Sequence, residues 1–191
     1  PGMAGSPVKL TGSNNSGYFD FVVRDDEVVT GGELTLGFTV SPSMLPNVTQ
    51  LNIFLNGELQ ETAALSAKQI GKAQTLTFKL SSKAFRAGAN QLRVEFVGHY
   101  QTVCENPANP SLWMDIAPQS QLALDKAFVR LPNDLSRFPA PFIAATDAGQ
   151  NTSLPMVFAK APTDKQASAA AIIAGYAGSL TKWGRADFPV Y

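Results

Sequence analysis

The chain has one cysteine, one histidine and no net charge, and each shortage removes a class of function. Cys104 has no partner for an internal disulfide, so cysteine count leaves the redox compartment open. A transition-metal site needs several convergent His or Cys ligands, which His99 and Cys104 cannot supply. A Ca²⁺ built from carboxylates and carbonyls is left open. The 15 basic and 15 acidic residues cancel, and no Lys/Arg cluster marks a nucleic-acid or anionic-membrane surface. No apolar run approaches the ~20 residues of a membrane span; the longest, residues 167–177, is short and Ala-rich. The start lacks the charged-then-apolar order of a signal peptide, and residues 1–6 (PGMAGS) read as an added or processed end. Gly31-Gly32 has no helix after it, the wrong setting for a phosphate loop. No cofactor is implied.

What is present is a period of two. Residues 51–61 (LNIFLNGELQE) place Leu51, Ile53 and Leu55 on one face. Asn56-Gly57 follows, the pair that best tolerates two positive φ values, and predicts a type I′ hairpin turn. Leu59 resumes an apolar position on the way out. The same alternation marks residues 18–24 (Phe19, Phe21, Val23), 33–40 (Leu34, Leu36, Phe38, Val40), 74–80 (Leu76, Phe78, Leu80) and 91–97 (Leu92, Val94, Phe96). Residues 112–116 and 121–131 supply further extended pieces, and 64–72 reads as a loop with a helical turn. Turns are expected at 14–17, 25–27, 30–32 and 87–90. About eight short strands with turn signals every ~8–12 residues predict an antiparallel sandwich, two sheets packed inner face to inner face. Strand length and size favour a jelly-roll over residues 7–131.

After Leu131 the pattern changes. Pro132, Pro139, Pro141 and Pro155 make residues 132–154 an extended Pro-rich linker. In 155–191 a short apolar strand (155–159) precedes a helix N-capped by Thr163 or Asp164. Ala167, Ala170, Ala171, Ala174, Ala177 and Leu180 recur at helical spacing, with Trp183 one turn beyond, before a second strand at 188–191. A strand, helix and strand make a βαβ unit of a parallel sheet. One such unit cannot bury both sheet faces, so 155–191 reads as a truncated opening of a flavodoxin-like α/β domain.

Catalysis finds little support. His99 and Cys104 could pair as base and nucleophile, but a hydrogen-bonded histidine and a buried thiol are the commoner outcome. Asp25, Asp26 and Glu27 are the one dense carboxylate cluster, and adjacent acids at a turn are usually a solvated corner rather than a glycosidase pair. Binding suits the composition better. Residues 99–115 (HYQTVCENPANPSLWMD) hold His99, Tyr100 and Trp113 beside Glu105, Asn106 and Asn109, with Pro107 and Pro110 stiffening the loop. Aromatic faces stack on sugar rings, and the polar groups suit hydroxyls. The competing reading, favoured on the residues alone, makes this a capping loop whose Trp113 plugs the sandwich end. Tyr18 is a second candidate exposed aromatic.

NQLRVEFVGHY at 90–100, CENPANPSLW at 104–113, LPNDLSRFPAPF at 131–142, TGGELTL at 30–36 and FLNGELQ at 54–60 resemble the family of periplasmic regulatory subunits of bacterial cellulose synthase. The resemblance runs from about Val8 to the end. It implies a non-catalytic protein alternating jelly-roll, carbohydrate-binding-like domains with flavodoxin-like domains. It also implies a C-terminal inner-membrane anchor beyond this sequence, the catalytic synthase subunit as partner, and a nascent β-1,4-glucan guided through the periplasm. The family also carries the name cyclic di-GMP-binding protein, the dinucleotide being read by the catalytic partner. The alternative is an assembly module that self-associates without significant sugar binding.

Overall fold

A computed structural model describes residues 6–132, 134, 136, 138–139, 152–180 and 185–191. The N-terminal part is an antiparallel jelly-roll sandwich. One sheet orders β1 (Val8–Thr11), β8 (Trp113–Ile116), β3 (Glu27–Val40) and β6 (Ala73–Leu80), with β9 (Gln121–Phe128) also paired to β3. The other orders β2 (Ser16–Val23), β7 (Gly88–Val97), β4 (Gln50–Leu55) and β5 (Glu58–Ala64).

Strand β3 organises the first sheet. Along one edge it pairs with β6 from Gly32↔Leu80 to Thr39↔Ala73. Along the other it pairs first with β9, Glu27↔Phe128 to Thr35↔Gln121, and then with β8, Phe38↔Ile116 to Val40↔Met114. Its inward residues Leu34, Leu36, Phe38 and Val40 are fully buried, as are Leu51, Ile53 and Leu55 of β4 and Leu92, Val94 and Phe96 of β7. These are the faces that alternation assigns to the core, and each large side chain so buried contributes about 1.5–3 kcal/mol.

Thr30-Gly31-Gly32 is not a turn. It lies inside β3 at a register shift between Val29 and Gly31. The glycines serve close approach instead: a Cβ on Gly32 would sit 2.6 Å from the Phe85 ring. Strand β1 lies upstream of the expected strands; four residues carry too little alternation to announce it. Leu59 is 52% exposed rather than inward, because a bulge between Ile53 and Phe54 re-aims β5.

The β4–β5 turn has φ of 53° at Asn56 and 85° at Gly57, both left-handed, as a type I′ turn requires. Asn56 does more than turn the chain. Its Nδ2 donates to Ala84 O (2.8 Å) and to Oδ1 of the buried Asn90 (2.9 Å). Its Oδ1 accepts from Gln91 N at 3.0 Å. Asn90 in turn donates to Arg86 O and Gly88 O, so one side chain ties the hairpin to the entry of β7.

Past the sandwich, residues 152–158 run parallel to 186–191, with Thr152↔Ala186, Ser153↔Asp187 and Met156↔Val190 in register. The first strand thus starts ahead of Pro155, and the second ahead of Phe188. Helix α1 (Asp164–Leu180) crosses between them. Thr163 caps it: Gln166 N donates to Thr163 Oγ1, and Thr163 N donates back to Gln166 Oε1, a reciprocal capping box. Ala177 is buried, while Ala167, Ala170, Ala171 and Ala174 line a cavity of about 290 Å³ with Met156 and Phe188. Trp183 lies outside the described residues, as does most of the Pro-rich stretch.

Removing the Asn56 side chain takes away the bonds to Ala84 O and from Gln91 N, and leaves Asn90 Oδ1 with Arg86 N as its remaining donor. Asn56→Ala is expected to destabilise the sandwich by about 2 kcal/mol in urea unfolding, and Leu59→Ala by less than about 0.5 kcal/mol. Equal effects of the two substitutions would contradict the assignment.

Candidate functional site

The loop between β7 and β8 starts at Gly98, where a Cβ would collide with the Phe96 ring at 2.4 Å. The next backbone groups are pinned: Leu45 N donates to His99 O (2.7 Å), and His99 N donates to Thr49 Oγ1 (3.2 Å). The chain then reverses through Cys104, whose φ of 50° is left-handed, with Gln101 Nε2 donating to Cys104 O at 2.7 Å.

That reversal brings Glu105 back over the loop's start. Its Oε1 accepts from Tyr100 N (2.6 Å) and Gln101 N (3.0 Å), and its Oε2 lies 2.6 Å from His99 Nδ1. A carboxylate only accepts, so Nδ1 of His99 carries the proton. These bonds hold the Glu105 carboxyl below the usual range, the Gln101 amide contributing most, ahead of His99 and Tyr100 and against the opposing effect of desolvation.

The other candidates divide between scaffold and surface. Tyr100 packs its ring against the core, and its hydroxyl accepts from Asn106 N at 2.9 Å. Asn106 Oδ1 accepts from Ala108 N (3.0 Å) and Asn109 Oδ1 from Ser111 N (2.9 Å), local turns that shape the loop. Trp113 is different. It is half-buried between the core residues Leu112 and Met114, and Lys9 Nζ stands 5.7 Å from its ring centroid. Strand alternation puts its neighbours Leu112 and Met114, and not Trp113, among the buried core side chains. Lys9 escaped the sequence because its approach depends on β1 pairing with β8, Thr11 opposite Trp113.

His99 is hydrogen-bonded, but Cys104 is exposed rather than buried, because the left-handed reversal turns it outward. The acidic corner is paired: Arg24 makes two bonds of 2.7 Å to Asp26, and Lys126 donates to Glu27 at 2.9 Å. Arg24 lowers the Asp26 pKa accordingly. Among the described residues no group of three or more His, Cys, Asp or Glu could hold a metal. No described helix is long and apolar enough to cross a membrane.

The build is that of an antiparallel β-sandwich, with an aromatic and a cation set beside a loop held by hydrogen bonds. The chain belongs to the BcsB family: "Cellulose synthase BcsB, first CBM domain" matches residues 2–127, and "Cellulose synthase BcsB, first FD domain" matches residues 134–191. It is 45% identical over 181 residues to the "Cyclic di-GMP-binding protein" of Escherichia coli O157:H7, covering 95% of this chain and 23% of that protein. It is 30% identical over 193 residues to the "Putative cellulose synthase 2" of Komagataeibacter xylinus, covering 99% and 12%. The chain thus spans about a quarter or less of these relatives' length. Among solved structures, "EclA C-terminal domain; sugar-binding protein" superposes with a TM-score of 0.40 at 11% identity, over 62% of this chain and 77% of that one.

Since Glu105 has a lowered folded-state pKa, the stabilisation it brings is complete above the usual glutamate range of about 4.3 and is lost as pH falls through the lowered value. NMR titration should show the Tyr100 and Gln101 amides moving together below that range, and no such step in Glu105→Gln. A midpoint at the ordinary value would contradict the clamp.

Proposed function

We propose that this chain is part of a non-catalytic periplasmic subunit of a bacterial cellulose synthase complex. In that role it supports the catalytic subunit and guides nascent β-1,4-glucan across the periplasm. Family membership carries the reading, and the partly buried Trp113 beside Lys9 supports a sugar contact. Residues 7–131 are the carbohydrate-binding-like domain, 132–154 the linker, and 155–191 the opening of a flavodoxin-like domain; the parallel pair of Thr152–Ser153 with Ala186–Asp187 joins the end of the linker to that opening. The full-length subunit is anchored to the inner membrane. Within the loop, Trp113 supplies the stacking face. Tyr100, His99, Glu105, Asn106 and Asn109 hold its shape and offer polar groups at its rim.

A guide that lets polymer pass must bind weakly, since each aromatic contact retards translocation by about 0.5–1.5 kcal/mol. Titrating the Trp183→Phe chain with cello-oligosaccharides should change Trp113 fluorescence in the millimolar range. Trp113→Leu should weaken binding seen by NMR about threefold to tenfold. An unchanged Trp113 signal up to the sugar's solubility limit removes this site.

The second reading is an assembly module. It rests on the open end of the β3–β9 ribbon, where Phe128 is 82% exposed on one face and Val28 and Val129 are exposed on the other. Large apolar side chains left uncovered favour association. If self-association uses it, light scattering should show concentration-dependent oligomers that Phe128→Ser abolishes; a monomer at all concentrations ends that reading for this chain.

A further inference from the structure

We propose a second glycan contact on the outer face of the β2–β7–β4–β5 sheet, away from the Trp113 loop. The register places Tyr18, Arg93, Phe54 and Leu59 in one row across all four strands. Strands lie about 4.8 Å apart, so the row is a flat track rather than a spot. Tyr18 is 59% exposed, and Leu59 closes the far end, also exposed. Between them the Arg93 guanidinium lies over the Phe54 ring at 3.6 Å from its centroid.

The adjacent row holds this plane still. Arg93 Nη1 donates to Glu95 Oε1 at 3.0 Å, and Asn52 Nδ2 donates to Glu95 Oε2 at 2.8 Å. Thr62 Oγ1 donates to Asn52 Oδ1 at 2.8 Å. The side-chain entropy of a long arginine is thereby spent before any ligand arrives.

This chemistry selects an extended, uncharged, β-linked sugar chain. Arg93 and Glu95 neutralise each other, which leaves little to attract a charged polymer. Tyr18 and Leu59 are too little exposed apolar surface for a protein interface, which needs roughly 800 Å² per partner. One exposed ring, a fixed guanidinium plane and a strip of amide, hydroxyl and carboxylate groups match the alternating apolar faces and hydroxyl edges of linked pyranoses.

The proposal rests on the reading that the ligand is a neutral glucan, but it names a different surface. Amide and side-chain NMR shifts of the 191-residue chain are followed against cellohexaose, in wild type, Tyr18→Ala, Tyr18→Phe and Trp113→Leu. The expected result is saturable shifts at Tyr18, Asn52 and Arg93. Tyr18→Ala weakens them about fivefold or more, Tyr18→Phe restores them because the ring is kept, and Trp113→Leu leaves them unchanged. Shifts confined to the Trp113 loop overturn this surface and leave the loop reading intact. Shifts on the sheet that survive Tyr18→Ala overturn it too, as does equal or tighter binding of an oligogalacturonate. Shifts on the sheet with none at the loop support this surface and remove the loop reading. No shift anywhere overturns both.

Discussion

The contact between two dry inner faces carries the sandwich. Leu34, Leu36, Phe38 and Val40 of β3 and Leu51, Ile53 and Leu55 of β4 are completely or almost completely shielded from water. A one-residue slip in either strand would turn its whole apolar set outward, so this contact also sets register. Strand β3 pairs along both edges, and β8 and β9 find their places only by sharing one of those edges. The Trp113 loop enters β8 and therefore inherits its position from that sharing.

Polar groups then do locally what the core cannot. Asn56 fastens the hairpin tip to Asn90 and Gln91, and Glu105 gathers His99, Tyr100 and Gln101 into one reversal. Both are side chains with several acceptors or donors converging at short range, in segments where no strand ladder is available to satisfy the backbone. The loop's form thus depends on hydrogen bonds and is sensitive to charge state, whereas the sheets are not.

The two candidate contact surfaces differ in how they are made. At the loop, a single tryptophan is displayed between two buried neighbours, with a lysine brought from β1. On the outer sheet, a row spread over four strands is levelled by an arginine stacked on a phenylalanine. A guided polymer fits several weak contacts better than one tight one, because each can release without freeing the chain.

Strand identity and inward faces were legible wherever alternation ran for five residues or more, as in 33–40, 51–55 and 91–97, because a period of two is a local property. The Asn56-Gly57 turn was legible for the same reason: positive φ is a residue preference. The Thr163–Gln166 cap is equally local. What tertiary structure decided was everything set by partners distant in sequence. Gly31-Gly32 looks like a turn until Phe85 and Asp125 approach. Trp113 and Tyr100 share a loop in sequence and are both partly buried, yet β8 pairing sets one beside Lys9 while the other packs against the core. The sequence alone therefore determined the sandwich, the family resemblance and the residues worth considering. Which of those residues face outward was decided by strand register, a non-local quantity that no short window of sequence contains.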